Sequence, residues 1–142
     1  MLEINNLTKF RVDSKSFAQV AKKVLMGENR EIENISLALV DKEEMQKLNK
    51  KFRGKDKPTD VLSFDLTDNR QPETSNLYLG EVVICPEIVK EKNEEMMRVF
   101  IHGILHLCGY DHPATAGSRS RRDEKLEELG KKMQEKENFY LK

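Results

Sequence analysis

The run Met96-Met97-Arg98-Val99-Phe100-Ile101-His102-Gly103-Ile104-Leu105-His106-Leu107-Cys108 reads as a helix that is apolar all round. A helix of that kind is buried on every side, so this segment belongs at the centre of the fold. Its histidines, His102 and His106, are accordingly expected in the interior. Upstream, Pro86 can open a helix, because proline is tolerated in the first turn. The charged stretch Glu87 to Glu95 then makes one long helix from Pro86 to Cys108 the expectation, with Gly109 ending it and turning the chain.

Outward from this helix, Leu77 to Cys85 is the clearest strand. Leu2 to Leu7 reads as a short strand, Ile35 to Val40 as a largely buried one, and Asp60 to Phe64 as a fourth. Asp13 or Ser14 can cap a helix running to about Met26, with Phe17, Val20, Ala21, Val24 and Leu25 on its apolar face and Gly27 as its stop. Asp41, with Glu44 three residues on, signals a helix to about Phe52. Arg53 to Pro58 reads as a basic loop and Thr67 to Asn76 as a polar, breaker-rich one that could gate a cleft. Ser118 can start a last amphipathic helix with Leu126, Leu129 and Met133 facing inward. Interleaved strands and helices predict an α+β fold, a small mixed β-sheet flanked by helices, formed by residues 1–142 as a single domain.

With 35% charged and 37% hydrophobic residues among 142, the chain has the balance of an ordinary globular protein with a real core. No apolar run approaches the roughly 20 residues needed to span a bilayer, and the amino terminus lacks a secretory pattern, so a cytoplasmic location is expected. Cys85 and Cys108 sit in apolar runs and read as small hydrophobes rather than a disulfide. The 25 basic and 25 acidic residues cancel, which excludes a global field drawing in nucleic acid. The charge is uneven, however. Lys47, Lys50, Lys51, Arg53, Lys55 and Lys57 face one acid, Asp56, and Arg119, Arg121 and Arg122 form a second cluster. A polyanion would have to be bound locally.

His102, His106 and His112 are the only histidines of the chain. Residues four apart on a helix project from one face, so His102 and His106 can reach a single ion. The turn at Gly109 lets His112 swing back as a third ligand. Three neutral imidazoles leave a fourth position open, the layout of catalytic rather than structural zinc. Nickel, cobalt, copper or iron could use the same ligands. The spacing also matches the metzincin form H-E-x-x-H-x-x-G-x-x-H at its histidines and its glycine, a metzincin-like metal helix. Gly103 stands where those proteases carry their general-base glutamate, which counts against peptidase activity.

The block His102 to His112, H-G-I-L-H-L-C-G-Y-D-H, resembles the motif H-G-x-L-H-L-x-G-Y-D-H of the bacterial endoribonuclease YbeY family. The block Phe52 to Phe64, F-R-G-K-D-K-P-T-D-V-L-S-F, is similar to that family too. So is Leu79 to Ile84, with Glu81 in place of the family's aspartate. The resemblance spans about residues 45 to 113. It implies a zinc-dependent, single-strand-specific endoribonuclease acting in ribosomal RNA maturation and ribosome quality control in the cytoplasm. It further implies that His102, His106 and His112 are the zinc ligands and that Arg53 is the functionally important arginine.

The residues suit that chemistry. A metal ion can act as Lewis acid on a phosphate oxygen, and the guanidinium of Arg53 can clamp a phosphate bidentately. Lys50, Lys51, Lys55 and Lys57 would bind the rest of an RNA backbone, although basic residues also simply favour a helix C-terminus. Asp111, beside the last ligand, can orient an imidazole N–H or can be a plain turn residue. Tyr110 reads as packing, Asp60 and Ser63 as shaping the cleft, and Glu81 as a carboxylate that would reach the site if its strand pointed it inward. Two other readings stay open: a zinc hydrolase of a peptide or amide, and a ribosome-associated RNA-binding factor with structural zinc.

Overall fold

The computed structural model describes residues 2–30, 34–65, 78–110 and 121–141, the side chains of residue 78 and of residues 121–130 excepted. In chain order the elements are β1 (Leu2–Asn6), α1 (Ser14–Gly27), β2 (Asn34–Leu39), α2 (Lys42–Arg53), β3 (Val61–Asp65), β4 (Tyr78–Ile84), α3 (Pro86–Glu91), α4 (Met96–Leu107) and α5 (Arg121–Leu141). The sheet order is β1-β2-β4-β3. β1, β2 and β4 run parallel, and β3 pairs antiparallel with β4 at the edge. This is the expected small mixed sheet of an α+β fold.

The two faces of the sheet bury different helices. Ile4, Leu37, Val82 and Ser63 align as one row across the four strands. That face carries α4, with α1 and α5 packed alongside it, and the core there includes Phe17, Val24, Phe100, Ile104, Leu105 and Met133. On the opposite face Ala38, Leu62 and Val83 pack with Met45 and Leu48 of α2 and with Ile88 of α3. Period-two alternation along each strand produces this division. Cys85 is a buried free thiol and Cys108 a half-buried one, as their apolar settings suggested.

Helix starts follow the sequence signals closely. The Asp13 carboxylate accepts from the Ser16 N–H, and the Asp41 carboxylate accepts from the Glu44 N–H at 2.9 Å, each worth roughly 1 kcal/mol to its helix. Helix ends differ from expectation at two places. The first is Gly27, which lies in the last turn of α1 and is not a left-handed stop. Asn29 supplies the left-handed residue (φ 61°), and the Arg30 N–H donates back to Leu25. Gly27 is needed for packing instead, since a Cβ there would collide with the Tyr140 hydroxyl.

The second is the expected long helix from Pro86 to Cys108, which is broken into α3 and α4. Asn93 adopts φ 56°, its N–H donates to Lys90 and that of Glu94 to Val89, which closes α3 in a Schellman turn. Asparagine tolerates that conformation because its short amide bonds locally. Gly109 ends α4 as expected, with φ 105° and the Tyr110 N–H donating to Leu105. Among the described residues no helix is long and apolar enough to cross a membrane.

Candidate active site

α4 is not buried on every side. Val99, Phe100, Ile101, Ile104, Leu105 and Leu107 are enclosed, while Arg98, His102 and His106 are only partly covered. These three lie four residues apart and form one polar stripe along the helix. The stripe faces a cleft of about 920 Å³ beside the edge strand β3. The histidines therefore stand at the wall of a cleft, not in the interior that the all-round apolar reading of their helix implied.

The sequence of α4 also determines how closely this stripe approaches β3. Gly103 sits over the sheet row containing Val82 and Ser63, where a Cβ would come within 2.6 Å of Val82 Cγ1. The Ser63 hydroxyl donates to the Gly103 carbonyl at 3.0 Å. Position 103 thus faces the sheet, which leaves no room there for the glutamate of the metzincin pattern.

Within the cleft, His102 and His106 bring their Nε2 atoms to 3.2 Å of each other. Two imidazole nitrogens bound tetrahedrally to one zinc at about 2.0–2.1 Å would sit about 3.3 Å apart, so the pair fits a shared ion. The Nδ1 of His102 lies 3.0 Å from Glu137 Oε2. Glu137 is only 6% exposed, and its other oxygen is 3.5 Å from Arg98, which also donates to Asn138 at 2.7 Å. A carboxylate on Nδ1 holds the proton there and leaves Nε2 as the lone-pair donor, the usual outer support of a metal-binding histidine. His112, the third expected ligand, and Asp111, its expected support, lie outside the described residues. Among those described, no group of three or more histidine, cysteine, aspartate or glutamate side chains could hold a metal by itself.

The same cleft is also lined by cations. Arg53 at the end of α2, with Lys55 and Lys57 of the following loop, lines the same cleft as His102 and His106. Gly54 (φ 70°) makes the turn that brings these residues round. Among the described residues no carboxylate is paired with any of the three. Lys50 and Lys51 do not line the cleft. Lys50 reaches Asp56 at 3.8 Å, and Lys51 lies over the Phe52 ring at 5.3 Å.

The floor and rim hold groups that sequence reasoning placed loosely or missed. Asp60 is fixed by the Val61 N–H at 2.8 Å, with Lys92 3.9 Å away. Glu94 is hydrogen-bonded to Asp60, and burial followed by that contact pushes its carboxyl up to about 7. Glu81 does not reach the site. Val82 faces α4, so Glu81 points to the other side of β4, where burial raises its pKa. Tyr110 does pack, and its hydroxyl donates to Glu28 at 2.9 Å while Tyr140 donates to the other oxygen at 2.5 Å. Burial and the Glu28 carboxylate push Tyr110 up to about 12. This cluster ties the end of α1 to the exit of α4 and to α5. Glu137, Glu94 and Arg98 were not anticipated. Signals for two of them existed, an acid four residues after the inward Met133 and an arginine four residues before His102; nothing local marked Glu94.

The molecule is thus a small α+β protein whose four-stranded mixed sheet carries a two-histidine helix lining the same cleft as a cationic loop. The chain matches the family model described as endoribonuclease YbeY over residues 3–140. It is 37% identical to the endoribonuclease YbeY of a Sulfurovum species, covering 92% of this chain and 91% of that protein. It is likewise 37% identical to the one from Aliarcobacter butzleri, covering 89% of each. A solution structure from Thermotoga maritima matches all of this chain and 96% of its own at 28% identity and a TM-score of 0.49. The chain belongs to the endoribonuclease YbeY family.

Proposed function

We propose that this protein is a zinc-dependent endoribonuclease that cuts single-stranded RNA, acting on ribosomal RNA during its maturation and in ribosome quality control. The observation that carries the reading is one cleft lined both by the paired imidazoles and by Arg53, Lys55 and Lys57, none of which has a carboxylate partner among the described residues. Membership of the family supports RNA as the substrate. Bound to His102, His106 and His112, zinc supplies Lewis-acid stabilisation of charge developing on a phosphodiester.

The chain's own residues do the rest. Glu137 holds the Nδ1 proton of His102 and so aims its Nε2 into the cleft. Arg53 grips the two non-bridging phosphate oxygens through two parallel N–H donors. Lys55 and Lys57 neutralise flanking phosphates, with an affinity that falls as salt rises. Gly103 keeps α4 against β3, so the stripe and the cationic loop stay at a fixed separation.

The test is incubation of zinc-loaded protein with a single-stranded ribosomal RNA fragment, beside a chelated sample and two variants. His106→Ala is expected to lose bound metal and cleavage together. Arg53→Ala is expected to keep one zinc per chain and lose cleavage. Full activity in zinc-loaded Arg53→Ala, or undiminished cleavage in chelator, would overturn the assignment.

A further inference from the structure

Phe52 is the penultimate residue of α2 and is 53% exposed. Single exposed hydrophobic residues are ordinary, but this one is held in place and surrounded by charge. Its ring packs edge-on against Phe64 of β3, with centroids 4.9 Å apart at 70°. The Lys51 ammonium lies 5.3 Å from the ring centroid. The next residue in the chain is Arg53, which opens into the cleft together with Lys55 and Lys57. Among the described residues, none of the other large exposed hydrophobics, Leu7, Phe10, Met26 and Phe139, adjoins a cleft residue in sequence.

We propose that Phe52 is a stacking platform for one unpaired base of a single strand whose phosphates run along Arg53, Lys55 and Lys57. The proposal rests on the RNA reading above and adds a base-binding subsite outside the metal cleft. Three features carry it: an exposed aromatic face, a second ring that fixes its orientation, and a cationic rim complementary to a phosphate chain. Stacking on an aromatic ring accepts any base and contributes about 1–3 kcal/mol per base. Bases stacked inside a duplex cannot offer a face to the ring, so the platform selects single strands. Purely apolar docking of a protein would not draw on the surrounding cations.

The chain has no tryptophan, so Phe52→Trp introduces a single reporter. The probes are a short single-stranded 2′-O-methyl RNA, the same sequence as a duplex, and inorganic polyphosphate, each added to the full-length zinc-loaded protein. Phe52→Leu is expected to weaken single-strand binding about 5- to 150-fold and to leave polyphosphate and duplex binding unchanged. In Phe52→Trp, the fluorescence of the introduced indole is expected to be quenched by the single strand and not by polyphosphate. Equal single-strand affinity in Phe52→Leu, or a single strand that leaves the tryptophan unquenched, overturns the platform alone. So does an equal loss of polyphosphate binding, because it marks a change in charge or fold. A parent protein that holds zinc but binds no single strand overturns the RNA reading and the platform together.

Discussion

Glu137 divides its carboxylate between His102 Nδ1 at 3.0 Å and Arg98 at 3.5 Å, and the two contacts serve different ends. The first sets which nitrogen of His102 carries the proton. The second ties the nearly buried carboxylate to Arg98, one turn before His102 on α4. Glu137→Ala is therefore expected to lower zinc affinity about 10- to 100-fold in competition with a chromophoric chelator, and Glu137→Gln to lose less, since its amide oxygen still accepts. Unchanged affinity in Glu137→Ala would reduce the residue to a partner of Arg98. His102, His106 and Arg53 were legible as site candidates because spacing and motif mark them locally. Glu137 was not, because it lies 35 residues from His102 and only the packing of α5 on α4 joins them.

At the scale of elements, the approach of α4 to the sheet is governed by small residues on both sides. Gly103 meets Val82, and a Cβ on Gly80 would collide with the Phe64 carbonyl and lie 2.7 Å from Leu107. Gly103→Ala would add helix propensity of up to about 1 kcal/mol. It would also force a methyl group into a packed interface, at a cost of about 1–3 kcal/mol. Net destabilisation in urea unfolding is expected, with partial recovery when Val82→Ala is added. A Gly103→Ala protein at least as stable as the parent would show that the interface yields easily. Strand order within the chain and the two carboxylate helix caps were readable from local pattern. The ends at Asn29 and Asn93 were not, because asparagine only favours the left-handed conformation that glycine adopts freely. The division of Pro86–Cys108 into two helices thus escaped notice.

For the whole molecule, the cleft links acidity to stability through Glu94. Its carboxyl stands at about 7 against an ordinary 4.5, raised by burial and by Asp60 and opposed by Lys92 and His102. Because the folded pKa lies above the unfolded one, the folded state holds more protons across that interval. The contribution is fully present below about 4.5 and is lost as pH rises through about 7. Glu94→Gln is expected to remove that decline, so its gain in urea midpoint over the parent should be larger at pH 8 than at pH 5. An equal gain at both values would sink the linkage. Glu28 works in the opposite sense. Burial raises its pKa, but the hydroxyls of Tyr140 and Tyr110 and the Lys136 ammonium outweigh that and lower it.

By itself the sequence determined what repeats at short range: the alternation of the strands, the caps, the spacing of His102 and His106 on one helical face, and the run of cations from Lys47 to Lys57 over the end of α2 and the loop after it. Those features depend on a few residues of backbone geometry, and a linear reading contains that geometry. Tertiary structure alone decided which cations share a cleft with the histidines, that Glu137 supports one of them, and that Glu81 is turned away. Each of these depends on how two elements distant in the chain pack. That packing is set by side-chain volume at contacts such as Gly103 on Val82, which no local pattern records.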